Sequence, residues 1–189
     1  ELINEGWNDD YYITGLTYAQ GLWAIVLSNN MSYTHQKWVL ETEFPEELIS
    51  ECWDDDLYIT DAVYGNGKWA VVFTQGVTYT SQMWRTRIEF PESIISEYYD
   101  KGYDITFLIY CNDIWFFFFF YNTGFSHQRW KTSYDFPKQF VDSALADGFE
   151  ITSLTYGQGL WAVVVSKRKD ITNETKSSFS DEKEIKEKN

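Results

Sequence analysis

Carboxylates are the chain's densest chemistry. Asp54, Asp55 and Asp56 are consecutive, and Asn8-Asp9-Asp10 precedes them by 46 residues. Such runs can supply oxygen ligands to Ca²⁺, but a proper site needs six or more oxygens held in a cage. Aspartate is also a common turn former. The two histidines, His35 and His127, hold equivalent places in the sequence, so a loop hydrogen bond explains them better than a metal or base role. Cys52 and Cys111 form no Cys-x-x-Cys pair. They are expected as free thiols at a helix end and in a hairpin turn, in a reducing compartment. Gly65-Asn66-Gly67 and Gly157-Gln158-Gly159 lack the Lys and following helix of a phosphate loop and read as hairpin turns. No Ser-His-Asp set is visible. The residues therefore predict no catalytic group, no metal site and no cofactor.

Aromatic loops are the second candidate. Tyr33, Tyr79 and Phe125 recur at one spacing, with Gln36, Gln82 and Gln128 three residues on. Repeated rings beside amides could stack on a glycan or peptide at several sites. They read first as rings that cover sheet edges while the amides satisfy backbone groups. The phenylalanine run 116–120, with Phe117 and Phe119, is a further candidate contact. It reads first as core and second as a binding or subunit surface.

These residues sit on a strict framework. Trp23, Trp69, Trp115 and Trp161 are 46 apart, as are Tyr18, Tyr64, Tyr110 and Tyr156. Phe-Pro pairs end at Pro45, Pro91 and Pro137, and Ile-Thr recurs from Ile13, Ile59, Ile105 and Ile151. A fixed period of this length means a repeat architecture. Each unit reads β-β-β-α. In the second, strands are predicted over 57–64, 68–74 and 82–90, and a helix over 91–98 with Pro91 in its first turn. The apolar second strand suits burial on both faces. Simple alternation places Ile13, Gly15 and Thr17 on one face, and Tyr12, Thr14, Leu16 and Tyr18 on the other.

The predicted organisation is one repeat domain over 1–189. Its units are 7–52, 53–98, 99–144 and 145–189, the last degenerate after 166. The segment 175–179 echoes 130–134, and a helix is expected over 181–188, with another over 1–5 before the first strand. The fold class is mainly β with short helices. Closure into a four-bladed β-propeller is expected, each unit giving one small sheet; an open repeat stack or a closed barrel is the alternative. Unit length and element order resemble hemopexin-like propellers, although the disulfide joining first and last blades there has no counterpart here. The pattern Tyr-Ile-Thr-x-x-x-Tyr-Gly-x-Gly-x-Trp-Ala-Val-Val over 58–72, followed by Gln-x-Trp and Phe-Pro, is similar to a Trp-rich tandem repeat of unknown function. That repeat occurs C-terminal to casein-kinase-I-type kinases in plants and ciliates, and alone elsewhere. The resemblance implies no catalytic residue.

Charge bounds the partner. Residues 1–166 carry eight basic and twenty-three acidic side chains, a net −15, within a total of −14. Such a surface repels nucleic acid and anionic membrane and favours a basic protein surface. Charge that merely keeps an aromatic-rich chain in solution is the alternative. The run 115–121 is too short to span a bilayer. No signal peptide is recognisable, and Glu1 in place of Met suggests a fragment or processed product. The expected function is a non-enzymatic interaction or scaffold module, part of a larger protein or assembly, inside the cell in cytoplasm, cilium or nucleus. Lectin-like glycan or peptide binding is the alternative.

Overall fold

The computed structural model describes residues 2–169. Four helices and eleven strands follow the period. Helix α1 (Leu2–Asn8) leads into β1 (Tyr12–Ala19), β2 (Leu22–Ser28) and β3 (His35–Glu41). Then come α2 (Glu46–Asp54), β4 (Tyr58–Gly65), β5 (Lys68–Gln75), β6 (Ser81–Arg87) and α3 (Glu92–Asp100). The chain continues through β7 (Tyr103–Cys111), β8 (Ile114–Tyr121), β9 (Phe125–Ser133), α4 (Lys138–Ala146), β10 (Glu150–Gly157) and β11 (Leu160–Arg168). The sequence-predicted helix over 181–188 and the eroded fourth copy lie outside the described residues.

Local chemistry explains the elements. The hairpins turn through Gln20-Gly21, Asn66-Gly67, Asn112-Asp113 and Gln158-Gly159, with both residues at positive φ. That conformation matches the strand twist and favours Asn, Asp and Gly. Proline stands one residue outside α2, α3 and α4 as their N-cap, not in the first turn. Cys111 ends β7 opposite Ile114 and is buried; it does not lie in the turn itself.

One sequence repeat does not make one sheet. The third strand crosses to the hairpin of the following unit, giving sheets ordered β3-β5-β4, β6-β8-β7 and β9-β11-β10. Both outer strands run antiparallel to the central one and hence parallel to each other. The helix bridges those two parallel strands, as a parallel crossover requires. Among the described residues the first sheet holds only β1 and β2. The sheets are numbered 1 to 4 in chain order below.

Stacking buries the central strands on both faces, as their apolar runs predict. Trp115, Phe117 and Phe119 face α3 residues Ile95 and Tyr98, together with Ala162 and Val164 of sheet 4. Phe116, Phe118 and Phe120 point the other way, into Trp69, Val71, Phe73 and α2 residues Ile49 and Cys52. Each layer thus presents a Trp face, lined by its own helix, to the opposite face of the next layer.

A β-bulge at Thr14, Thr60, Thr106 and Thr152 shifts the register of every first strand. It corrects the simple alternation: Ile13, Leu16 and Tyr18 share one face, and Gly15 and Thr17 the other, because the extra residue reverses the side-chain parity. First strands pack consecutively, β1 on β4, β4 on β7 and β7 on β10. Among the described residues no strand pairing joins first and last sheets. They form an open stack, the alternative to the expected ring.

Candidate interaction surface

Residues that keep the period hold the layers together. Gln36 Oε1 accepts the Ile13 N–H at 2.7 Å and the Trp7 indole N–H at 3.2 Å, while its Nε2 donates to the Ile13 carbonyl. Gln82 repeats this with Ile59 and Trp53, and Gln128 with Ile105. The amide acts as an extra strand segment, pairing main chain from the adjacent sheet beside the bulge. This is the backbone-satisfying alternative for the glutamines. Its long-range partner had no local signal in the sequence.

The aromatic loops differ from one another. Tyr33 is half-buried and edge-on to Tyr12. Tyr79 is edge-on to Tyr58 and tilted against Phe120, and burial pushes its hydroxyl pKa well above the ordinary tyrosine value. Phe125 lies beneath the Arg168 guanidinium, 5.4 Å from the ring centroid. It also borders a polar recess with Tyr99, Asp104, Tyr121 and Thr123. Phe117 and Phe119 are wholly buried, so as candidate contacts they are corrected to core.

Asp54, Asp55 and Asp56 are all exposed at the end of α2. Asp56 has φ 57°, and the Leu57 N–H reaches back to the Cys52 carbonyl at 2.8 Å. Equivalent positions are Asp10, Gly102 and Gly148, all at positive φ. This position is therefore a left-handed helix stop, which Gly or Asp can adopt. Among the described residues no three acidic, His or Cys side chains are grouped to hold a metal. His35 and His127 are exposed at the starts of β3 and β9.

The surface least bound to the framework is the turn from β3 into α2. Glu41, Glu43, Glu46, Glu47 and Glu51 are exposed around a groove whose floor includes half-buried Phe44, Pro45 and Leu48. Phe44 anchors that floor against Trp69, Trp84 and Phe116. Glu46 and Glu47 occupy the first turn of α2, where the helix dipole favours anions. One period on, the same groove is mixed, with Arg87, Glu89 and Glu92. Several basic side chains are already occupied. Arg85 and Lys101 lie over Tyr98, and Arg129 sits over Phe149 and pairs with Asp147. The five glutamates have no ion-pair partner among the described residues. Sequence reading missed this groove, because its glutamates are scattered over eleven positions and converge only when α2 folds back beside β3.

An apolar cavity of about 200 Å³ lies between sheets 1 and 2, lined by Trp23, Trp38, Ala70 and Val72 among others. One period later the equivalent four residues, Trp69, Trp84, Phe116 and Phe118, enclose the Phe44 ring.

The family model described as "Domain of unknown function (DUF7477)" matches residues 1–120 and again residues 69–179. The chain belongs to this family. The two matches overlap, which is consistent with a repeated domain. No curated protein and no solved structure matches the chain. No helix among the described residues is long and apolar enough to cross a membrane.

Proposed function

We propose that this chain is a non-enzymatic interaction module whose acidic groove at the β3–α2 turn docks a basic segment of a partner protein. It serves as part of a larger protein or assembly, in keeping with the kinase-linked repeats it resembles. One observation supports this above the rest: five unpaired glutamates line a single groove with an apolar floor, at a place where the period leaves residue identity free. Lys or Arg heads would meet carboxylates there while their stems covered Phe44 and Leu48. Binding of a Lys/Arg-rich peptide, followed by fluorescence anisotropy at rising salt, tests the reading. Affinity should fall steeply with salt, because exposed charges are screened within about 10 Å at 0.1 M. A protein partner with no basic surface, captured equally at low and high salt, would count against it.

The recess around Phe125 supports a second reading, glycan binding. Exposed Tyr99 and Tyr121 stand beside Asp104 and Thr123, a mix of rings and hydroxyl-binding groups. Asp104 accepts a hydrogen bond from Thr123, and burial raises its pKa. A glycan array without hits would sink this alternative.

A further inference from the structure

The groove one period after the acidic one keeps its frame and changes its lining. Phe90, Pro91 and Ile94 take the places of Phe44, Pro45 and Leu48. Arg87 stands where Glu41 does, Ile88 where Thr42 does and Ser93 where Glu47 does. The second groove is therefore less charged and more apolar. Ile88 is 70% exposed there, and Phe90 and Ile114 are half-buried in the same groove. Arg87 is exposed, and its Nη1 donates to the Thr86 carbonyl at 2.6 Å. Among the described residues it pairs with no carboxylate.

The two grooves are neighbours across sheet 3. Phe44, on the floor of the first, packs against Trp84 and Phe116 on one face of that sheet. Phe90, on the floor of the second, packs against Trp115 and Phe117 on the other face. Ile114, at the start of β8, packs with the core on the Phe44 side and also lines the second groove, so it bridges the two floors. Gln158, in the turn between β10 and β11, fixes the far wall. Its Nε2 donates to the Ile88 carbonyl at 2.8 Å, and its Oε1 accepts the Trp115 indole N–H at 3.2 Å. This double contact holds the Ile88 main chain to sheet 4 and leaves its side chain in solvent. A lone exposed isoleucine is ordinary surface. One that is anchored through its main chain, and that shares a groove with further apolar side chains and an unpaired guanidinium, has the composition of a docking site.

We propose that the partner segment is bipartite: its Lys/Arg block fills the acidic groove, and a bulky apolar residue beside a carboxylate reaches across sheet 3 to dock on Ile88, Phe90 and Arg87. This rests on the basic-segment reading above and adds a specificity that net charge alone lacks. Charge complementarity assigns each half. Every charged residue lining the first groove is a glutamate, whereas the second sets Arg87 beside Glu89 and Glu92. Stacked sheets lie about 10 Å apart, and an extended chain advances about 3.3 Å per residue. The apolar residue therefore stands about three residues from the basic block. Burial of one leucine-sized side chain corresponds to about tenfold or more in affinity.

Fluorescence anisotropy tests this with a plain Lys/Arg-rich peptide and two extended ones, which carry a Leu-Glu step three residues beyond either end of the basic block. The added glutamate lowers the peptide's positive charge, so general attraction to an acidic protein would weaken binding. The unmodified chain should instead bind one of the extended peptides about tenfold tighter than the plain one. Ile88→Ser, at an exposed position, should remove most of that gain and leave the plain peptide's affinity unchanged. Arg87→Glu should reverse the preference for Leu-Glu over Leu-Gln in the extension. Circular dichroism should show both variants folded. Equal affinity for plain and extended peptides would overturn the bipartite partner and leave the basic-segment reading standing. A gain that survives Ile88→Ser would overturn it as well. Failure of every peptide to bind would sink both readings together.

Discussion

Asp61 carries its β4 carboxylate into the contact between sheets 1 and 2. One oxygen accepts the Leu16 N–H at 2.6 Å and the other the Ala62 N–H at 2.8 Å. Burial outweighs these bonds and raises its pKa from 3.8 to about 6. Between those values the folded chain keeps a proton that the unfolded chain has released. Stability from this group is therefore greatest below about pH 4 and declines as pH rises to about 6. Asp61→Asn should flatten that decline in urea unfolding measured at pH 4, 5 and 7; an unchanged slope would show that other groups cause it. Asp56 makes a backbone prediction. Asp56→Gly should leave stability within about 0.5 kcal/mol, whereas Asp56→Val should cost about 1–2 kcal/mol because a branched residue resists the left-handed region. Thermal melts of the two variants decide this. If both lose stability equally, the Asp56 carboxylate and not its φ angle is what matters.

At the scale of elements, the layers are joined by a side chain standing in for a strand. Gln82→Leu would leave the Ile59 N–H and carbonyl and the Trp53 indole N–H without partners. A buried unsatisfied group costs about 1–3 kcal/mol, so chemical denaturation should register a loss of about 2 kcal/mol or more. A loss under half of that would mean that water replaces the amide. Contacts between first strands alternate in closeness. Gly65 lies against the Tyr18 ring and Gly157 against Tyr110, where an added Cβ would fall 2.2 and 2.1 Å from ring carbons. Cys111 holds the same place between β4 and β7, where Phe107 stacks on Phe118 and the strands touch less. Strand and helix positions were legible in the sequence to within three residues, since turn chemistry and apolar runs are local signals. The bulge at Ile-Thr and the reach of Gln36 to Ile13 were not. The bulge is set by the register of each hairpin, and the glutamine contact by residues twenty-three apart in different sheets.

On the scale of the whole molecule, the period foretold four similar units but not the exchange of third strands, because pattern alone cannot say which hairpin a strand joins. Nor did it foretell an open stack, since closure depends on the rotation between layers. The acidic surplus was legible as a number. Its concentration at the β3–α2 turn was not, because a helix had to fold back to gather the glutamates. The framework explains why the groove is free to carry function: Gln, Trp, Ile-Thr and Phe-Pro are engaged in stacking, and Glu43, Glu46 and Glu47 are not. The most direct measurement is the affinity of a Lys/Arg-rich peptide for three proteins, by fluorescence anisotropy at fixed salt. They are the unmodified chain, the groove variant Glu43→Lys/Glu46→Lys/Glu47→Lys, and the helix-end variant Asp54→Lys/Asp55→Lys/Asp56→Lys, which changes net charge equally. The groove account predicts a loss of about tenfold or more for the groove variant, equivalent to about 1.4 kcal/mol, and a much smaller loss for the helix-end variant. Equal losses in both would contradict it and reduce the acidic surface to a general charge effect.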